Sequence, residues 1–207
     1  MLSRIDDILY PNRCEVIELA SQRYFYPIYK NGSTSITEYA RQQGFKSLLN
    51  QQLAKINSIE VVLRNPLERY LSGIKTFVHN TKRDNPQLDV NTILFFAENY
   101  LFLNRHYAPQ LSWLINLNRY TNAKLQLVGM ESLSDYTPLN LSPPENMYFD
   151  SKVKERLSNN IHNEMYLRLD NLLLDLIGQE LTFKEVLAYL ESKDKIAFQK
   201  LKCIALD

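Results

Sequence analysis

Lys30-Asn31-Gly32-Ser33-Thr34-Ser35 sets one cation, one glycine and three hydroxyl side chains side by side. At the start of a helix such a turn offers unpaired backbone N–H groups and the positive end of the helix dipole to a phosphate or sulfate. A helix simply capped by serine or threonine uses the same residue types, so this turn by itself leaves both readings open. Arg64 and Ser72 form a second set. A helix beginning near Pro66 brings the serine hydroxyl toward an anion held by the planar donors of the arginine. Arg69 is expected instead in a structural ion pair with Glu68, Glu38 or another carboxylate. Two anion sites at one edge call for a ligand with phosphates at two ends. A Walker A loop requires GxxxxGK[ST], whereas Lys30 precedes its glycine and no upstream glycine exists. With no Walker B or Mg²⁺-binding carboxylate pattern either, a phosphotransferase is disfavoured.

Both sets need strands and helices to hold them. Tyr24–Tyr29 is aromatic and β-rich, and it runs through the polar turn into Ile36–Gln43, a helix that Gly44 can cap. Ile59–Leu63, apolar except for Glu60, repeats the grammar: strand, Arg64-Asn65-Pro66, then the amphipathic stretch Leu67–Phe77. Pro66 suits a first helical turn, where its missing N–H costs nothing. Thr92–Leu103 reads as a mostly buried helix, Gln110–Tyr120 as another, and Leu125–Val128 as an interior strand ended by Gly129. Prolines at 138, 143 and 144 make Tyr136–Asn146 an extended loop, and Ser151–Ile177 and Thr182–Leu201 are helical by pattern. The alternation predicts an α/β layer fold with a small, mainly parallel sheet flanked by helices and a helical C-terminal third. Its ligand crevice should open at the carboxyl ends of the strands.

These residues carry a family resemblance. Tyr26-Pro27-Ile28-Tyr29-Lys30-Asn31-Gly32-Ser33-Thr34-Ser35 resembles the 5′-phosphosulfate loop of sulfotransferases. Val62-Leu63-Arg64-Asn65-Pro66-Leu67-Glu68-Arg69-Tyr70-Leu71-Ser72-Gly73 resembles their 3′-phosphate motif. The pair is most similar to the membrane-type carbohydrate sulfotransferases, whose histidine segment followed by Pro-Gln is resembled by His106-Tyr107-Ala108-Pro109-Gln110. Val128-Gly129-Met130-Glu131-Ser132-Leu133 resembles a weaker fourth element, and the C-terminal third lies beyond the resemblance.

The resemblance implies a P-loop-like domain that transfers a sulfuryl group from 3′-phosphoadenosine-5′-phosphosulfate, a co-substrate, to an acceptor hydroxyl, usually on a sugar, without a metal. It implies that Lys30 neutralises the bridging oxygen, that Asn31, Gly32, Ser33, Thr34 and Ser35 hold the 5′-phosphate, and that Arg64 and Ser72 hold the 3′-phosphate. Independently of it, such a transfer asks mainly for positioning and preorganised donors. A base must take the acceptor proton. His106 is the first candidate, although a histidine there can equally bind adenosine or order its loop. Glu38, one turn into the first helix, is the alternative base or a plain dipole partner. His79 and His162 read as solvated. Tyr26, Tyr29 and Tyr107 stand near the turns and can stack on adenine or a sugar, though most of the 13 tyrosines fill cores and rims. Lys82–Val90 and Tyr136–Asn146 are the candidate acceptor loops. A binding module that keeps the nucleotide or a sulfated ligand without turnover is the competing reading.

Composition bounds these readings. At roughly 150 residues per domain, 207 residues predict one domain spanning the chain. The 24 basic and 23 acidic residues leave a net charge of +1, so a general nucleic-acid binder is excluded and any anion must be held locally. Leu172–Ile177 is interrupted by Asp175, far short of the ~20 apolar residues that span a bilayer. Met1–Tyr10 carries Arg4, Asp6 and Asp7 where a signal peptide needs an apolar core, so a cytoplasmic protein without a membrane partner is expected. The family's familiar members carry an anchor and disulfides, and their absence here points to a compact microbial or viral relative. Cys14 and Cys203 are expected as reduced, non-ligating thiols.

Overall fold

The apolar run ending at Leu63 becomes the centre of a six-stranded sheet. The computed structural model describes residues 14–19, 22–99, 104–135, 151–159 and 161–205. The strands are β1 (Glu15–Glu18), β2 (Tyr24–Tyr26), β3 (Lys46–Leu49), β4 (Ser58–Leu63), β5 (Lys124–Gly129) and β6 (Glu180–Leu181), in the order β3-β1-β2-β4-β5-β6. β2, β4 and β5 pair in parallel, with Phe25 beside Glu60 and Val61 beside Leu127. β1 is antiparallel to both β2 and β3, and β6 is antiparallel to β5. The expected mainly parallel sheet is therefore corrected: only the inner three strands are parallel, and antiparallel strands close both edges. β1, β3 and β6 are short, and each gains its strand character from pairing across the sheet.

Alternation places Ile59, Val61 and Leu63 of β4 in one apolar cluster and Val62 in another on the opposite face. Glu60 points to the second face, where Arg23 holds both its carboxylate oxygens at 2.9 Å. On that face lies α1 (Ser33–Gln42), which buries Ser33, Ile36 and Ala40. Gly44 at φ +70° ends it, with the Phe45 N–H donating back to the Ala40 carbonyl. The other face carries α4 (Gln110–Asn118), buried from Gln110 to Leu117, together with the C-terminal helices.

The long helix α2 (Pro66–Asp84) begins as its sequence requires, with Pro66 in the first turn and the Asn65 side chain accepting from the Glu68 N–H at 3.1 Å. Its buried stripe, Arg69, Tyr70, Gly73, Ile74 and Val78, packs toward α3 (Val90–Asn99) and Tyr107. α3 is less buried than its composition suggests: Ile93, Leu94 and Ala97 face inward, while Phe95 and Phe96 are exposed. Residues 100–103 of the expected helix, and the expected loop over 136–146, lie outside the described residues. The C-terminal third divides into α5 (Ser151–Ser158), α6 (Ile161–Leu174), α7 (Phe183–Lys193) and α8 (Lys195–Ala205). Thr182 and Glu185 form a capping box at the start of α7, and Asp194 breaks it from α8. Among the described residues no helix is long and apolar enough to cross a membrane.

Gly73 is a tight point of this packing. A Cβ there would penetrate the backbone carbonyl of His106, so α2 and the His106 turn approach as only glycine permits. Gly73→Ala is expected to destabilise the protein by about 1–3 kcal/mol in denaturant unfolding, the cost of overpacking against backbone. Unchanged stability would show that the two segments do not touch.

Candidate functional site

Three turns meet at the carboxyl ends of β2 and β4. The first follows β2 immediately, because Pro27 cannot continue a hydrogen-bonded ladder. Lys30 and Gly32 both take left-handed backbone angles, φ +72° and +78°. For glycine this is easy; for lysine it is strained. Gly32 is the N-cap of α1, the Ile36 N–H closes the first turn on its carbonyl, Gly32 has no side chain to cap this end, and no acidic residue lies in its first turn. The serine-or-threonine cap reading is thereby corrected: Ser33 is buried inside the helix, Ser35 is half-buried and Thr34 is exposed. Leu133, from the weakest of the resembling elements, packs directly beneath Gly32.

The second turn leans on the first. Arg64 donates through Nη1 to the Lys30 carbonyl at 3.1 Å, and its Nε lies 3.6 Å from Glu68. Asn31 is buried and donates through Nδ2 to the Val62 carbonyl at 2.8 Å and to Gln110 Oε1 at 2.6 Å. Arg69 turns inward, where the Asp170 carboxylate feels its charge. It lies buried with Nε donating to the Tyr29 carbonyl at 3.0 Å and Nη1 to the Ala108 carbonyl. Ser72 is half-buried at the margin of the α2 stripe, one turn beyond Glu68 and Arg69.

The third turn, Arg105–Pro109, brings His106. Its imidazole lies 5.2 Å from the Tyr29 ring, which also meets the Trp113 ring at 5.1 Å and carries the Arg105 guanidinium over its face at 4.8 Å. Burial, then the charges of Lys30, Arg105 and Arg69, push His106 down to about 4, so the ring is neutral at pH 7. Lys30 is lowered from its ordinary value by burial first and then by Arg64 and Arg69. His106 Nδ1 and Asn31 Oδ1 are buried with no hydrogen-bond partner among the described residues. Crowded cations that depress one another in this way are relieved by an anion.

Glu38 does not join this group. Arg41 holds it at 2.6 Å and Gln42 at 2.9 Å on the outer side of α1, and the Arg41 contact lowers its carboxyl below the ordinary range, which makes it a poor base. His79 is exposed, as expected; the side chain of His162 lies outside the described residues. Tyr26 and Tyr107 are core residues: Tyr26 donates to the Trp113 carbonyl, and Tyr107 packs edge-on against Tyr70 and Phe77. Only Tyr29 of the three keeps a partly exposed ring. Lys82–Val90 is no open loop, since Lys82 folds its ammonium onto the carbonyls of Pro86 and Leu88. Cys14 is a free, buried thiol pushed up to about 12. Among the described residues no three His, Cys, Asp or Glu side chains cluster as metal ligands would.

Two residues were missed. Gln110, already quoted beside His106, is fully buried and bonds to both the first and the second turn. Its Oε1 also accepts from the Arg64 N–H at 2.9 Å, and its Nε2 donates to the Arg64 carbonyl at 2.9 Å. Asp170 of α6 accepts from the N–H groups of Gln110 and Leu111 at 2.6 and 2.9 Å. An acidic residue in an apolar helical run, Leu167 to Leu174, was the signal available for it.

No family model matches this chain, and no curated protein and no solved structure matches it.

Lys30→Gly should stabilise the fold by about 1 kcal/mol in denaturant titration, because glycine accepts the left-handed angle and a crowded charge is removed. A loss of stability would mean that the lysine serves the scaffold. An NMR titration should place His106 well below its ordinary 6.5. In acid the unfolded chain then takes this proton first, so His106 makes stability fall as pH drops from 6.5 toward about 4. Asp170, raised to about 6 by burial despite its backbone donors, acts oppositely: it makes stability rise as pH drops through 6 toward 3.8. His106→Gln should therefore flatten acid destabilisation in that window and Asp170→Asn should steepen it.

Proposed function

We propose that the protein is a sulfotransferase that moves a sulfuryl group from 3′-phosphoadenosine-5′-phosphosulfate to an acceptor hydroxyl, on a carbohydrate. The observation that carries this reading is the junction of the two anion turns: a helix N-terminus that begins at Gly32 beside Lys30, with Arg64 of the next turn reaching the Lys30 carbonyl at 3.1 Å. The donor set fits a polyanion, since Lys30, Arg105 and Arg69 gather around one neutral histidine and Arg64 crowds Lys30. A P-loop-like layout belongs to the same proposal, supported by three parallel strands whose carboxyl ends carry the turns. We place the activity in the cytoplasm, where the Cys14 thiol stays reduced.

In this mechanism the N–H groups of Gly32–Ser35 and the Lys30 ammonium hold the 5′-phosphosulfate, and Arg64 with Ser72 holds the 3′-phosphate. The acceptor oxygen attacks sulfur in line as the bond from sulfur to the bridging oxygen breaks. The electron pair stays on the 5′-phosphate, where Lys30 neutralises the growing charge. The acceptor proton passes to His106, whose buried Nδ1 has no competing partner among the described residues. The anionic donor raises the affinity of that ring for a proton, offsetting the cations that depress it in the free protein.

Thermal shift is the first test. Adenosine 3′,5′-bisphosphate at about 100 times its Kd should stabilise the protein by about 2.7 kcal/mol, and ATP with Mg²⁺ by far less. Equal responses count against the assignment. With radiolabelled donor and an acceptor screen, Lys30→Ala should lower kcat by roughly 10²–10³, and Arg64→Ala should weaken donor binding by about 10–100-fold. Binding of the bisphosphate without transfer to any acceptor would assign a binding module instead. Full kcat in His106→Ala would place the base elsewhere.

A further inference from the structure

We propose that Gln110 and Asp170 are positioning residues that hold the two anion turns at the spacing of a single nucleotide phosphorylated at both ends. The inference rests on the nucleotide reading above and extends it to the C-terminal third, which no motif reached.

Gln110 is placed where a continuing strand would lie. β4 ends at Leu63, and the Gln110 amide meets both the N–H and the carbonyl of Arg64, as a neighbouring strand would. The same Oε1 accepts from Asn31 at 2.6 Å. One side chain therefore grips the residue after Lys30 and the backbone of Arg64 together. All these atoms are buried or half-buried, so the bonds resist exchange with water.

Gln110 needs its own anchor, because Pro109 provides no side-chain cap for α4. Asp170 supplies it from 60 residues away, one oxygen on each of the first two N–H groups of α4. This is an N-terminal cap delivered by another helix, with the carboxylate at the positive end of the α4 dipole. Arg69 lies close enough for its charge to favour the Asp170 carboxylate, and it ties Tyr29 to Ala108 in parallel with the Gln110 bonds. The turn that binds one phosphate is thus braced against the turn that binds the other through α4 and α6, in addition to the direct bonds of Arg64 to the Lys30 carbonyl and of Asn31 to the Val62 carbonyl.

Rigid spacing has a specific signature. Two anion sites held at the right distance bind a two-ended ligand far more tightly than either end alone, and loosened sites lose that advantage while each keeps its own affinity. Calorimetry with adenosine 3′,5′-bisphosphate, adenosine 5′-monophosphate and adenosine 3′-monophosphate measures it. The wild-type protein should prefer the bisphosphate over either monophosphate by at least about 100-fold. Asp170→Asn cannot accept from both N–H groups, and its preference should fall to about tenfold or less, with monophosphate affinities within about threefold of wild type. A preference retained in a folded Asp170→Asn overturns the positioning role, as does an equal loss for all three ligands. Should that variant fail to fold, Gln110→Met keeps the Asp170 cap while removing the amide and carries the same test; failure of both to fold makes the pair scaffold only and also overturns the role. Absence of any preference in wild type would instead overturn the nucleotide reading itself.

Discussion

Parallel strands that end leave backbone donors and acceptors with no ladder partner, and past the end of β4 one buried amide takes them. Gln110 satisfies Arg64 on both its N–H and its carbonyl, and accepts from Asn31 as well. An unmade bond at any of these atoms would cost about 1–3 kcal/mol in so dry a place. The arrangement of the turns therefore follows from polar satisfaction before any ligand is considered. The left-handed Lys30, the Arg64 contact with its carbonyl, and the burial of Asn31 all lie within this frame.

Electrostatics runs against the frame. Lys30, Arg69 and Arg105 are gathered near a histidine that is kept neutral, Arg64 presses on Lys30, and the Lys30 backbone is strained as well. Arg69 is accommodated by carbonyls, with the Asp170 carboxylate within electrostatic reach, and Arg64 borrows Glu68 weakly at the surface. Local strain and like-charge crowding are what a scaffold avoids and a site for anions accumulates. Neither feature is needed to hold the sheet, whose apolar faces are complete without them.

Legibility of the sequence was uneven, and for physical reasons. The inner strand of Ile59–Leu63, the helix start at Pro66 and the Gly44 termination were readable because each rests on chemistry within a few residues. The antiparallel strands on one side of the sheet were not: Glu15–Glu18 and Lys46–Leu49 carry half-polar sequences, and they become strands by pairing, β1 with both β2 and β3 and β3 at the edge with β1. The long helical patterns at the C-terminus hid the helix end at Ser158 and the break at Asp194, where polar residues interrupt periodicity without any proline.

The same division holds at the site. The sequence alone determined which residues stand in the turns, that a lysine and glycine open one helix, and that Arg64 and the His106 to Gln110 run follow in order. Local order, charge and backbone preference are properties of short segments. Only the tertiary structure decided that Arg69 turns inward to carbonyls, that Glu38 turns outward to Arg41, and that Asn31 meets Gln110 across 79 residues and Asp170 caps Gln110 across 60. Those outcomes depend on which helix packs on which face of the sheet, and a buried polar atom takes whichever partner that packing brings within 3 Å of it.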